Sequence, residues 1–134
     1  MTQEQEMTAD QQQQWVRDQY QVATKYLASQ GLVTESVVVE ESRYLIPFMS
    51  VWKLKVIDGT YFWAICGDVP SDHSVITVAS NAREAVRYFS LKWQIQAENL
   101  LNSADKEQKT FANLLIRKAE NLYEAYEQER FWKN

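Results

Sequence analysis

The sequence predicts an α+β fold with an N-terminal helix, an antiparallel meander of three to four strands, and two long C-terminal helices paired as an αα-hairpin. Three observations lead to this prediction. Apolar residues recur at helical spacing from Trp15 to Leu27 and again after Ala82. β-Branched and aromatic residues fill residues 37 to 66. Three glycines and two prolines are few for 134 residues, which favours long regular elements.

The first helix is predicted over residues 9 to 30. Two pairs fit a capping box at its start, which are Thr8 with Gln11 and Asp10 with Gln13. Gly31 stands where a glycine commonly ends a helix. Residues 1–8 have no apolar periodicity, so they are predicted to form a disordered tail before a single α+β domain over residues 9–134.

The middle of the chain carries strand signals. Val37–Val39 is a β-branched run, and Ser74–Ala79 is a possible fourth strand. Pro47 cannot donate a ladder hydrogen bond, so Tyr44–Met49 is expected to be an edge strand, a strand start or a bulge.

Asp58–Gly59 lies between two apolar segments and predicts a hairpin with a two-residue type I′ turn. Pairing Ile57 with Thr60 then defines the register, and side chains alternate between the faces. One buried face would carry six apolar residues, which are Trp52, Leu54, Val56, Tyr61, Trp63 and Ile65. Lys53 and Lys55 would be exposed on the opposite face.

Two helices are predicted after the sheet. Asn81 followed by Glu84 is a helix-start signal, and the apolar spacing continues to Leu101. The polar run Asn102–Asp105 is predicted to turn the chain, with Ser103 as the N-cap of the last helix. A single helix over this whole region would be far longer than globular helices usually are.

The loop from Cys66 to His73 contains the only cysteine, the only histidine and two aspartates. Cys66 and His73 could act as nucleophile and base, although a cysteine at a strand end usually packs as a small hydrophobe. Asp68, Asp72 and His73 could contribute to a zinc or iron site, but such residues around a proline also form ordinary turns. A catalytic, a metal-binding and a structural interpretation remain open.

Basic residues form a further group at the start of the second helix. Arg83 lies in the first turn and Arg87 follows it, and free backbone N–H groups there could hold an anion. The alternative is a solvated helix face. The loop is expected beside this helix start, so Asp68 or Asp72 should reach Arg83 or Arg87. The run Glu40-Glu41 with Arg43 is interpreted as a polar strand end.

Five Trp, seven Tyr and five Phe are many rings for a chain of this length. Phe131 and Trp132 are expected either to fold back on the first helix or to contact a partner. The two C-terminal helices carry second apolar stripes, which include Leu91, Ile95 and Leu114. A homodimer or a protein partner is therefore predicted to cover helices 2 and 3.

Four segments occur in an order and spacing that resembles a family of short bacterial cytosolic proteins known only as a domain of unknown function. These segments are Ser42-Arg43-Tyr44, Trp52-Lys53, Gly67 to Asp72 and Asn81 to Ala85. The resemblance covers about residues 14 to 101. It implies a bacterial origin, carries no activity, and draws Arg43, Trp52, Asp68, Asp72 and Arg83 together as candidates for one shared surface.

Composition narrows the function classes. A net charge of −4 argues against a nucleic-acid binder that neutralises phosphates. No apolar run approaches the roughly 18 residues of a membrane span. A single cysteine is typical of a reducing compartment, so a cytoplasmic location is expected. No catalytic or cofactor motif is found.

The composition and motifs favour a non-catalytic binding, regulatory or protein-interaction module with an aromatic-lined surface and no cofactor. The alternative is a small metal-dependent or Cys/His enzyme centred on residues 66–73. No catalytic or metal-binding residue is assigned. Seven residues are candidates for ligand binding, which are Arg43, Trp52, Asp68, Asp72, His73, Arg83 and Arg87.

Overall fold

The computed structural model describes residues 6–133 and has the predicted α+β architecture. The helices and strands are α1 (Ala9–Ser29), β1 (Thr34–Val37), β2 (Arg43–Leu45), β3 (Met49–Val56), β4 (Tyr61–Gly67), β5 (Asp72–Val75), α2 (Ala82–Leu101) and α3 (Lys106–Glu127). Single 3-10 turns cover Val39–Glu41, Ile76–Val78 and Glu129–Phe131. Most of the predicted tail lies in residues 1–5, outside the described residues, and the division into a tail and a single domain stays a prediction. None of the described helices is both long and apolar enough to cross a membrane.

Both predicted ends of α1 are confirmed. The Thr8 hydroxyl accepts from the Gln11 amide at 3.1 Å, and the Gln11 side chain accepts from the Thr8 amide at 2.9 Å. Gly31 has a φ of 84°, and its amide donates to Ala28 O while the Leu32 amide donates to Leu27 O. This pair of bonds is the Schellman motif, which satisfies the last carbonyls of a helix.

The sheet is antiparallel and centred on β3. One side of β3 pairs with β4, which pairs with β5, and the other side pairs with β1 and β2. Pro47 lies between β2 and β3, so the segment Tyr44–Met49 contains a strand end, a turn and a strand start. The predicted fourth strand is shorter and earlier than Ser74–Ala79, because the chain enters a 3-10 turn at Ile76.

The predicted register of the central hairpin is wrong by one residue. Val56 donates to Thr60 O at 2.9 Å, and Lys55 pairs with Tyr61. The loop therefore has three residues, Ile57 to Gly59, and Gly59 takes a left-handed φ of 93°. A three-residue loop that ends in a left-handed glycine is the next most common hairpin connection after two-residue loops.

Both faces of the sheet are buried, because α1 covers one face and α2 and α3 cover the other, and the slip divides the predicted apolar set between them. Trp52, Leu54 and Val56 pack beneath α1, whereas Trp63 and Ile65 join the core beneath α2 and α3. The prediction that all six apolar residues share one face is thus wrong, since a slip of one residue turns a strand's side chains over.

The two lysines of β3 are half-buried rather than exposed. Each forms an ion pair with a glutamate, Lys53 with Glu41 of the 3-10 turn at 3.1 Å and Lys55 with Glu35 of β1 at 3.7 Å. Leu54 between them has no exposed surface, as predicted for a core position.

The αα-hairpin is confirmed, with one correction to its caps. Asn81 caps α2 by accepting from the Glu84 amide at 2.9 Å, as predicted. Asp105 rather than Ser103 caps α3, because the Ser103 hydroxyl accepts from the Asp105 amide and leaves the next turn to the Asp105 carboxylate.

The C-terminal rings do not fold back on α1. Trp132 packs against the core shared by the sheet, α2 and α3, and its indole N–H donates to Ala125 O at 3.0 Å. The segment after α3 therefore lies at the opposite layer from α1, beside the start of α2.

Candidate functional site

A polar cleft of about 490 Å³ lies where the start of β2, the start of α2 and the C-terminal segment meet, the last being residues 126–132 at the end of α3 and just after it. Arg43 is the first residue of β2, and Asn81 caps the start of α2. Two segments that are distant in the sequence therefore meet at the cleft. The lining residues are Glu40, Glu41, Ser42, Arg43, Asn81, Ala82, Arg83, Glu84 and Trp132.

Two half-buried arginines line the cleft, and the C-terminal segment holds both. Arg43 Nη2 donates to Trp132 O at 3.3 Å, and its guanidinium lies 5.9 Å from the centre of the Trp132 ring. Arg83 Nε donates to Tyr126 O at 2.9 Å, with its guanidinium 5.2 Å from the Tyr126 ring. A guanidinium has five N–H donors, so each arginine keeps donors available for another acceptor.

The charges of the cleft do not neutralise each other. Glu41 forms an ion pair with Lys53 at 3.1 Å. Within residues 6–133, none of the ion pairs involves Arg43, Arg83, Glu40 or Glu84. The cleft therefore presents two cations and two anions that have no oppositely charged protein partner in the described chain.

Residues Cys66–His73, which we call the loop between β4 and β5 although they include the end of β4 and the start of β5, have a different character. Cys66 is the first of them. Its thiol is fully buried and lies 3.4 Å from Gln19 O and 3.4 Å from the Ser50 hydroxyl. Burial raises the pKa of the Cys66 thiol, so the protonated form is favoured. Cys66 is thus a packed thiol, and its contacts are with α1 and β3 rather than with His73.

His73 has a partner on α1. Its Nδ1 lies 3.0 Å from the Tyr26 hydroxyl. Burial lowers the pKa of His73, and burial followed by the charge of Asp72 raises the pKa of Tyr26. Both shifts favour the neutral forms, as expected for a hydrogen bond between a phenol and an imidazole.

Asp72 points to the other face of the sheet and binds α2. Its Oδ1 accepts from Lys92 Nζ at 2.9 Å, and its Oδ2 accepts from the Trp93 indole at 2.9 Å. Because successive side chains of a strand alternate, Asp72 and His73 connect the edge strand to both helical layers.

The predicted contact of this loop with Arg83 or Arg87 is wrong. Asp68 pairs with Lys118 of α3 at 3.2 Å, and Asp72 pairs with Lys92, so both carboxylates reach the middle of a helix. Ile65 of β4 pairs with Asp72 of β5, so the chain doubles back along β4. Asp72 therefore lies beside the middle of α2 and away from the first turn of that helix. Among the described residues, no group of three or more His, Cys, Asp or Glu side chains is arranged to hold a metal ion.

The seven candidate residues therefore separate into different places. Arg43 and Arg83 share the cleft, whereas the exposed Arg87 is not among its lining residues. Asp68, Asp72 and His73 serve the loop contacts described above. The shared surface that the resemblance suggested is thus divided, and only its two arginines lie together.

Trp52 lies on the α1 side of the sheet and is 2% exposed. Its indole donates to the Ser50 hydroxyl at 2.8 Å. Its ring lies 5.4 Å from that of Tyr20 and 4.8 Å from that of Tyr44, at a shallow groove of about 360 Å³. Three aromatic residues, Tyr20, Tyr44 and Trp52, are among the residues that line this groove.

Three cleft residues were missed from the sequence as site residues. Glu40 and Glu84 were interpreted as a strand end and a charge on a solvated helix face, and Trp132 was expected to meet α1 or a partner. A signal existed in the charge pattern, because both Glu40–Arg43 and Arg83–Glu84 place a cation and an anion close together in the chain.

Comparisons with known proteins identify a family. A family model described as "Domain of unknown function (DUF4826)" matches residues 9–132. This match extends beyond residues 14 to 101 at both ends and includes the C-terminal segment that holds the two arginines. No curated protein and no solved structure matches the chain.

Proposed function

We propose that this chain, which belongs to the DUF4826 family, is a binding module that holds an anionic group of its ligand on Arg43 and Arg83. A single observation carries the proposal. The two guanidiniums line one cleft and have no carboxylate partner among the described residues, although each is held in place by a backbone carbonyl and an aromatic ring.

Arginine chemistry supports an anionic ligand group. A guanidinium matches carboxylate and phosphate oxygens through two parallel N–H donors, and such charge-assisted bonds are roughly twice as strong as neutral ones. The cleft volume of about 490 Å³ is within the range of small-molecule sites in proteins. Arginines fixed before binding lose little side-chain entropy when the ligand arrives.

The experiment is an NMR titration of the full chain with inorganic phosphate, followed through the arginine Nε–H signals. We expect saturable shifts at Arg43 and Arg83, and their loss in Arg83→Gln. Arg87→Gln is the matched control, because Arg87 is exposed on the same helix and does not line the cleft. Equal shifts in Arg83→Gln and the parent protein would overturn the proposal.

We also propose a cytoplasmic location in a bacterium. The bacterial origin rests on the resemblance described above. The location is supported by Cys66, a buried free thiol and the only cysteine of the chain. Fractionation of the native host, with an antibody against the protein, tests the location directly.

A homodimer through α2 and α3 is proposed as the assembly. Leu91 and Ile95 stand one helical turn apart on α2 and are 37% and 61% exposed. A two-fold axis can place the same stripe of two copies together, which is the commonest symmetry of soluble oligomers. We expect light scattering at micromolar concentration to give twice the 15.7 kDa chain mass, and Ile95→Glu to restore the monomer. A monomeric parent protein would contradict the proposal.

A further inference from the structure

We infer that the ligand of the cleft is a zwitterion, a small molecule that carries an ammonium and a carboxylate together, as a free amino acid or a short peptide does. This inference rests on the proposed function and adds the class of ligand. Its basis is the charged side chains of the cleft. Apart from Glu41, they are two arginines and two glutamates that form no ion pair within residues 6–133.

The charge balance favours a zwitterion over a purely anionic ligand, which the arginines would bind less tightly. Lys53 already neutralises Glu41 at 3.1 Å, so the remaining charges are Arg43 and Arg83 against Glu40 and Glu84. A ligand with only negative charge would meet the two arginines but also the two glutamates, and like charges brought together oppose binding. A ligand with one charge of each sign satisfies both sets.

Each wall of the cleft carries both signs. Glu40 and Arg43 flank the entry into β2, and Arg83 and Glu84 occupy the first turn of α2. An ammonium and a carboxylate only a few bonds apart can therefore find opposite charges on the same wall or across the cleft. Trp132 is a further lining residue and could offer an apolar contact to the rest of the ligand.

The arginines are kept from pairing with these glutamates. Arg43 is bonded to Trp132 O and Arg83 to Tyr126 O, and each guanidinium lies over the ring of the same residue. The C-terminal segment thus holds the cations apart from the anions and keeps both available. Such fixed charges favour a ligand whose own charges have the matching separation.

Calorimetry with the full chain and a matched set of ligands tests the inference. L-Glutamine and the dipeptide alanyl-glutamine carry both charges, N-acetyl-L-glutamine carries only the carboxylate, and L-glutamine amide carries only the ammonium. We expect at least one of the two zwitterions to bind at least about tenfold more tightly than either singly charged compound, a difference of about 1.4 kcal/mol. The stronger of the two zwitterions identifies a free amino acid or a peptide as the source.

Two variants separate the roles of the charges. Glu84→Gln should weaken binding of the zwitterion, because the ammonium loses its partner, and should not weaken N-acetyl-L-glutamine, because its carboxylate loses a like charge. Arg83→Gln should weaken both compounds, and the control Arg87→Gln neither.

Two results would overturn the inference. If N-acetyl-L-glutamine binds as tightly as the zwitterions, the ligand is an anion and the proposed function stands without the inference. If neither zwitterion binds while phosphate shifts the arginine signals, the inference fails and the proposed function stands. If phosphate fails as well, the proposed function fails with it.

Discussion

The loop between β4 and β5 and the cleft at the start of α2 are both rich in polar residues, yet they use them in opposite ways. Asp72 accepts from Lys92 and from the Trp93 indole, and His73 meets Tyr26. Within residues 6–133, Arg43 and Arg83 donate side-chain hydrogen bonds to backbone carbonyls, and their guanidiniums lie over aromatic rings. Residue types alone therefore do not identify a site. The deciding property is whether the polar groups already have protein partners.

The physical difference lies in how each charged group is solvated, by protein donors in the loop and by water in the cleft. A half-buried carboxylate such as Asp72, 15% exposed, needs its donors because water cannot replace them fully. A charge at an open cleft keeps its hydration until a ligand replaces it. The loop is therefore expected to contribute to stability, and the cleft to binding. Four substitutions test this contrast, and they are given in order of decreasing expected loss of folding stability.

The largest effect is expected at Gly67, where the loop leaves the sheet. Gly67 has a φ of 128°, and an added Cβ would lie 2.7 Å from Met49 Cα and from Phe48 O. Gly67→Ala should lower the free energy of unfolding by about 3 kcal/mol, since it combines backbone strain with a clash against backbone atoms. Urea denaturation measures this value.

Gly59→Ala is the matched control for that change. Gly59 has a φ of 93° but nothing within 4 Å of an added Cβ, so only the backbone strain of about 1 kcal/mol remains. Equal losses at the two glycines would show that the close approach of Gly67 to β3 contributes nothing.

Asp72→Ala should lower the free energy of unfolding by about 2–3 kcal/mol, because it leaves the Trp93 indole without an acceptor and leaves Lys92 Nζ with its longer bond of 3.4 Å to His73 O. Asp68→Ala should cost less than about 1 kcal/mol, because Asp68 is 76% exposed and its pair with Lys118 is screened by water. Chemical denaturation followed by tryptophan fluorescence compares the two. A larger loss at Asp68 would contradict the account of this loop.

Arg83→Gln should lower the free energy of unfolding by only about 1 kcal/mol, the value of a typical hydrogen bond. The bond to Tyr126 O is the one that this change removes. The same denaturation experiment applies, and the loss should be smaller than that of Asp72→Ala. A loss above that of Asp72→Ala would make Arg83 a structural residue and break the contrast between the two regions.

The smallest effect concerns His73 and pH. Burial lowers the pKa of His73 below 6.5 in the folded protein, so the unfolded chain binds more protons between the two values. Stability therefore falls as the pH decreases from 6.5 toward the lowered pKa, and it is fully present above pH 6.5. His73 is the only histidine, so His73→Gln should flatten the urea midpoint against pH in this window. An unchanged slope would show that other groups produce it.

How much the sequence predicts depends on the distance between interacting residues along the chain. The capping box of Thr8 and Gln11 and the Asn81 cap of α2 are contained within three residues, and both were predicted correctly. The hairpin loop was predicted at the right place, but Asp58–Gly59 is compatible with two-residue and three-residue loops. The register follows from which of these two loops packs better against the rest of the protein. It decides which side chains of the hairpin lie on each of the two buried faces.

The α+β order of one helix, an antiparallel sheet and two long helices could be predicted from the sequence, as could the ends of α1 and the start of α2, because these depend on local hydrogen bonds and apolar spacing. Where the charged residues meet depends on tertiary packing. Arg83 and Tyr126 are 43 positions apart and Arg43 and Trp132 are 89 apart, so no local pattern records their contact. Local rules report the geometry of a few neighbouring residues, whereas packing of the two helical layers on the sheet selects which distant charges form ion pairs and which do not.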